Sequence, residues 1–430
     1  MKRWWWLPVL AGVVLMLLAA SGAPQPSVLI YTGAAYGKLK PCACSPETDM
    51  GGLLRRDTLL ADLRNQYPRS LLVDAGGTFH EVNEQARLGA QALLEALRKL
   101  RYQTVAIGAT DLVYGRSFLE EHGADMLFVS NVRWKDAAGG LSQPRRVVEL
   151  DGQKVELFAL IDPADVYTGR QADIEVEPID KFLDQHAKPG VLSIALLAGK
   201  RETAQAVLTH PRIEIVINAF HAEDILDQPQ YSFADGKVLA ETGIFGSRVG
   251  LLRFTFRGEK LLTVENKHYE LDNKIVDGEL IKPLYDWYDG EVKKLFLAKL
   301  AGKPAFDQEK SPYVGSETCG KCHKRSFRIW RAMNHSHALE SLKKVNKHFD
   351  AECIACHVIG WEQAGGFHSE QESPHLANVG CEACHGPGKA HVKNWRVKMT
   401  PFTRNDCVRC HNAERSPAFK PEPSWEKIKH

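Results

Sequence analysis

From residue 27 to about 270, short apolar runs rich in β-branched residues alternate with longer stretches whose apolar positions recur every three or four residues. The runs at 28–31, 71–73, 105–107, 126–129, 155–161, 193–197 and 213–217 predict strands. Stretches 53–63 and 90–100 predict amphipathic helices. Strands and helices in alternation imply an α/β layered domain, and its last part, 249–269, turns to alternating strands. A further amphipathic helix is expected over 282–300, with Tyr285, Trp287, Leu295 and Leu297 as its packing residues. A breaker-rich connector from Ala301-Gly302-Lys303-Pro304 to Pro312 follows it. Beyond it the periodicity fades into short helices and loops. The expected organisation is a leader at 1–23, an α/β domain at 24–280, a helix and linker at 281–310, and a mainly α, loop-rich domain at 311–430.

The leader carries Lys2 and Arg3 before an apolar run at 4–20, then Ser21-Gly22-Ala23. This is the pattern of a Sec-type signal peptide. The competing reading is an uncleaved membrane anchor, because the run approaches the length of a bilayer span. Either way the chain is expected in the periplasm or on the outer surface of a bacterium. The 430 residues, 44% apolar and 25% charged, have ordinary globular composition. A net charge of +2 implies no nucleic acid or other polyanionic partner.

Ten cysteines change the picture. Eight fall in four Cys-x-x-Cys-His runs: Cys319, Cys322 and His323; Cys353, Cys356 and His357; Cys381, Cys384 and His385; Cys407, Cys410 and His411. In such a run two thiols become thioethers to the porphyrin vinyl groups, and the following His ligates the iron. Zinc also binds paired Cys-x-x-Cys, but it requires no His after each pair. Four covalently attached c-type haems are therefore expected, with His323, His357, His385 and His411 as proximal ligands. So short a domain leaves little room for a side-chain core, so the porphyrins must supply much of the apolar contact. The remaining two cysteines, Cys42 and Cys44, are expected as free or loosely oxidised surface thiols, because a disulfide closing so small a ring would be strained. The alternative is a pair that ligates a soft metal or contacts a haem edge, with His80 or His221 nearby. Disulfides are not expected to hold this fold together.

The order Tyr31-Thr32, Gly37-Lys38-Leu39, Gly51-Gly52-Leu53-Leu54-Arg55-Arg56, Asp74-Ala75-Gly76, Gly108, Tyr114-Gly115 and Ser130-Asn131-Val132 resembles the metallophosphatase domain of the periplasmic 5′-nucleotidase family. The resemblance implies a four-layer α/β sandwich. It also implies where two metal ions would be held, and there the chain departs from the family. The family's Asp-x-His falls on Ala34 and Tyr36, its bridging Asp on Gly77, and its Asn-His pair on Ala109 and Thr110. The later histidine segments become Leu197-Ala198-Gly199 and Ala219-Phe220-His221-Ala222. Two-metal hydrolysis needs both ions. No phosphatase activity is expected.

The last domain resembles multihaem cytochromes of the cytochrome c-554 type. The likeness rests on Trp330, the run from Asn334-His335-Ser336-His337 to Leu342, His357-Val358, Gly365-Gly366-Phe367, Val379-Gly380-Cys381-Glu382, Gly386-Pro387-Gly388 and a terminal His430. It implies electron transfer between packed haems, with distal ligands at positions matching His335, His391 and His430. His375 is a candidate for a fourth. Seven non-motif histidines lie in the domain (His335, His337, His348, His368, His375, His391 and His430), and spacing leaves open which serves which haem.

The expected function is an exported tetrahaem electron carrier with redox protein partners, on a catalytically silent metallophosphatase fold used for docking or assembly. Closely packed haems also suit an oligomer. The alternative is a haem oxidoreductase acting on a small nitrogen or sulfur compound at one five-coordinate iron, decided by whether His375 binds iron. A nucleotidase fused to a cytochrome is disfavoured by the missing ligands.

Overall fold

A computed structural model describes residues 26–430 except 80, 136–139, 168–171 and 221–224. The leader, His80 and His221 lie outside the described residues. Strands β1 (Ser27–Thr32), β2 (Leu71–Asp74), β3 (Thr104–Ala106) and β4 (Leu127–Phe128) run parallel. A short antiparallel pair, β5 (Val132–Trp134) and β8 (Ile174–Val176), stands apart from the main sheets, with β6 (Arg146–Leu150) and β7 (Gln153–Leu160) between its two strands in sequence. Strands β9 (Leu192–Leu197), β10 (Ile215–Asn218), β11 (Tyr231–Ala234) and β12 (Lys237–Glu241) complete a second sheet in the order β11-β12-β10-β9-β7-β6. The chain then returns as the hairpin β13 (Arg248–Arg257) and β14 (Lys260–Glu270), which closes the first sheet as β14-β13-β1-β2-β3-β4.

β1 shows why its sequence is apolar throughout. Side chains alternate across a strand, so Leu29 and Tyr31 enter the core between the two sheets while Val28 and Ile30 face helices. Helices α1 (Leu53–Gln66) and α2 (Glu84–Lys99) cover the outer face of the first sheet. Helices α3 (Ile179–His186) and α4 (Arg201–Thr209) cover the outer face of the second. The result is the expected four-layer sandwich.

Helix α5 (Lys282–Ala301) joins the domains by packing into both. Tyr285, Tyr288 and Val292 enter the core under α2, and one helical step further Phe296 stacks on Trp361 at 5.6 Å. The sequence expectation for this face needs correction. Trp287 and Leu297 are exposed, because the period from Tyr285 falls on 288, 292 and 296 rather than on 287 and 297. The carboxyl-terminal domain is short helices and loops around a small cluster that includes Tyr313, Leu339, Ile354, Ile359, Phe367 and Leu376. Among the described residues no helix is long and apolar enough to cross a membrane.

Candidate haem and interdomain site

Short helices at Ser316–Gly320, Ala351–Ile354, Cys381–His385 and Arg404–Arg409 carry the Cys-x-x-Cys-His runs, and buried polar groups fix two of them to each other. Glu382, beside Cys381, is buried and accepts backbone N–H bonds from Val314 (3.0 Å), Gly315 (2.8 Å) and Gly388 (2.7 Å). Ser316 Oγ accepts from the Cys381 amide at 3.0 Å, and Trp330 Nε1 donates to the Val379 carbonyl at 2.8 Å. The first and third motifs are thereby held side by side, with Cys319 close to Cys381. Cys356 and Cys410, of the second and fourth motifs, also lie close together. Sequence reading gave Glu382 no role. A carboxylate next to a motif Cys is ordinary surface composition until its burial is seen.

Three motif imidazoles each face a non-motif imidazole. His323 and His391 have ring centroids 6.1 Å apart, His411 and His335 6.1 Å, and His385 and His430 5.9 Å. A metal–imidazole nitrogen bond is about 2 Å, so two rings on opposite sides of one iron have centroids on the order of 6 Å apart. The Nδ1 atoms are also spent as iron ligation requires. His357 Nδ1 donates to the Ala338 carbonyl (2.6 Å), His391 Nδ1 to Val397 (2.7 Å) and His430 Nδ1 to Ile428 (3.0 Å), and His411 Nδ1 bonds Ser416 Oγ (3.2 Å). An imidazole held this way has its tautomer set and Nε2 left for a metal. Burial pushes His335, His385 and His411 below the ordinary histidine range. Neutral rings are the ligating form. Thiols and imidazoles so arranged fit haem c.

His375 is placed differently. Its ring meets Phe306 at 5.7 Å, and its Cβ lies against Gly315. Among the described residues it is not one of the imidazoles paired with a motif ring, and none is paired at this distance with His357. His357 instead opens, with Cys353 and Cys356, on a cavity of about 890 Å³ between the two domains.

On the other side of that cavity lie the loops at the carboxyl ends of β1 and β2. Ala34 and Tyr36 take positive φ (52° and 45°), and the Tyr36 ring packs over Gly77 and edge-on to Phe245. Ala198 lies against Gly108, and Ala219 against Gly33. Apolar contacts thus fill the space where the resemblance would place metal ligands. Asp111, buried and unmentioned by sequence reading, ties these loops by accepting the amides of Gly77 (3.0 Å), Phe79 (2.8 Å) and Gly108 (2.8 Å).

Cys42 and Cys44 correct another expectation. They are joined in a disulfide rather than standing as thiols. The intervening Ala43 supplies the turn with a φ of 50°. No contact with His80 or His221 can be assigned, since both lie outside the described residues.

These features define a cytochrome c region appended to a metallophosphatase-like sandwich. Residues 318–386 match the family described as cytochrome c554 and c-prime, which shows haem c binding for this region. The chain is similar to cytochrome c-554 of Nitrosomonas europaea, 38% identical over 110 residues that cover 22% of this chain and 47% of that protein. It therefore spans about half the length of the curated relative it matches. Among solved structures it resembles a 5′-nucleotidase precursor from Thermus thermophilus (TM-score 0.52, 16% identity, 75% of this chain and 68% of that one). It also resembles a calcineurin-like phosphoesterase from Bacillus subtilis (TM-score 0.53, 15% identity, 62% of this chain and 98% of that one). At these identities the likeness shows the fold.

Proposed function

We propose that the chain is an exported tetrahaem c-type cytochrome that passes electrons between redox protein partners, and that its amino-terminal domain is a phosphatase fold kept for docking and assembly. The observation that carries this is the set of three motif imidazoles each facing a second imidazole across the span of one iron. On this reading His391, His335 and His430 are distal ligands opposite His323, His411 and His385. Such ligation leaves these three irons no coordination position for substrate, and the nearness of the first motif to the third and of the second to the fourth keeps neighbouring porphyrins close. Bound haem c supplies one-electron chemistry; the chain sets ligation, spacing and exposure. Its side chains leave the phosphatase loops without the hard ligands that two metal ions need.

A second reading is favoured by one observation. His357 has no paired imidazole among the described residues and faces the interdomain cavity. A haem oxidoreductase acting there on a small nitrogen or sulfur compound is the alternative. Low-temperature electron paramagnetic resonance of the oxidised protein, with a pyridine haemochrome count, separates the two. Four haems with low-spin signals alone support the carrier. A high-spin component that shifts with added cyanide, nitrite or hydroxylamine supports the enzyme. Fewer than four haems would sink the tetrahaem reading, and recovery of the protein in the cytoplasmic fraction would sink export.

A further inference from the structure

The Cys42–Cys44 disulfide lies in the wall of the same cavity as Cys353, Cys356 and His357. Both its residues are exposed. Its placement does not depend on the bond itself. Lys40 Nζ reaches Asp289 Oδ2 of α5 at 2.6 Å, and Lys38 Nζ reaches Glu414 Oε1 of the haem domain at 2.7 Å. The Leu53 amide donates to the Leu39 carbonyl at 3.0 Å, and the Tyr285 hydroxyl donates to the same oxygen. Gly52, with φ of 93°, lets Pro41 lie where a Cβ would stand 2.8 Å from its Cδ. The loop is thus clamped from α1, from α5 and from the haem domain. A bond between residues two apart closes almost no chain, so it contributes little loop-closure stabilisation. Its position beside a haem-attachment site asks for a different role.

We propose that Cys42–Cys44 is a two-electron redox centre that exchanges electrons with the haem c attached at Cys353 and Cys356, across their shared cavity. The proposal rests on the reading that the second motif carries haem c. In the reducing direction the S–S bond breaks. Haem c bound at the second motif would supply two electrons one at a time, re-reduced between them by a neighbouring ferrous haem so that two haems are oxidised in all, and two protons would come from water reaching the exposed pair, giving two thiols. In the reverse direction the two thiols would give two protons to water and two electrons, one at a time, to two ferric haems, and the S–S bond reforms. The dithiol form can attack an external disulfide through a mixed disulfide, so the substrate class is a small disulfide or its thiol. The pair would convert the one-electron traffic of the haems into two-electron sulfur chemistry.

The test uses the intact haem-loaded protein. In one arm the haems are reduced anaerobically with viologen radical, the donor is removed by gel filtration, and the ferrous α-band is followed. In the other arm the disulfide is reduced with a phosphine, the phosphine is removed, and the band of the initially ferric protein is followed. One of the two directions is downhill. The expected result is a change of two electron equivalents per chain in one arm, matched by gain or loss of two iodoacetamide-reactive thiols mapped to Cys42 and Cys44. Both changes should vanish in C42S/C44S. A flat band with unchanged labelling in both arms overturns the proposal. Haemochrome and intact-mass measurements read haem content separately, so a chain lacking haem at Cys353 and Cys356 overturns the proposal through the reading beneath it.

Discussion

Lys38, in the loop after the first strand, pairs with Glu414 near the carboxyl end at 2.7 Å, a bond that ties this loop of the α/β domain to the carboxyl-terminal domain. Burial alone would push the Lys38 ammonium down, but Glu414, with Glu352 and Glu81, outweighs this and leaves it above the ordinary lysine range. Both side chains are about one-third exposed, so the pair is worth less than about 1 kcal/mol. Charge reversal makes it measurable. K38E and E414K should each speed tryptic cleavage at Lys303 or Lys310 in the linker at low salt, and K38E/E414K should restore the slow rate. Equal rates in all four proteins would show that this pair does not hold the domains together.

The ligand assignment separates histidines that the sequence treats alike. H335A, H391A and H430A should each convert one haem from low-spin to high-spin in the resonance spectrum while all four stay attached. H375A should leave the low-spin signals unchanged, because its ring lies on Phe306. Appearance of a high-spin haem in H375A would restore it as a ligand.

Glu382 offers a structural contrast. With backbone amides of Val314, Gly315 and Gly388 bonded to one buried carboxylate, E382A leaves donors stranded, at a cost of about 1–3 kcal/mol for each one cut off from water. The expected outcome is a lower thermal midpoint of the haem domain and broadened signals from the first and third haems. An unchanged midpoint would mean that water replaces the carboxylate.

Much of this was legible from the chain. The apolar runs located the strands because β1, β2, β3, β9 and β10 are buried on both faces, and the Cys-x-x-Cys-His spacing located the attachment sites because it is covalent geometry. The rest depended on contacts distant in sequence. Whether Trp287 or Tyr288 packs is decided by the helix phase set by neighbours under α2. The pairing of His391 with His323 and of His335 with His411 follows from loop paths that no local pattern encodes. The roles of Asp111 and Glu382 lie in backbone amides, which are the same for every sequence.

The loops that follow β1 and β2 are closely packed around Tyr36. Gly77 has φ of 69°, and a Cβ there would stand 3.4 Å from Ala34 Cα and 3.5 Å from the Tyr36 ring. Gly77→Asp, which introduces the carboxylate that the family resemblance would place there, should cost about 1–2 kcal/mol from the left-handed backbone alone and should bring no metal-dependent phosphatase rate. A urea midpoint equal to that of the wild type would show that the loop still accommodates the carboxylate.

Asp111 predicts a pH signature in the same region. Burial pushes its carboxyl up to about 7 against the lowering effect of the Gly108 and Phe79 amides, whereas in the unfolded chain it titrates near 3.9. Between these values the native state holds a proton that the unfolded state has lost. Stability is therefore fullest below the unfolded value, falls as pH rises by at most about 1.4 kcal/mol per unit, and levels off above the folded value. Glu214, raised by burial to about 7, contributes with the same sign. Urea midpoints measured from pH 4.5 to 7.5 on wild type, D111N and E214Q separate the two. D111N should be less stable throughout, because it exchanges one acceptor oxygen for a donor facing backbone amides, but its decline with pH should be shallower. A D111N profile parallel to that of the wild type would place the titrating group elsewhere and leave Asp111 as a permanently ionised anchor for the three loops.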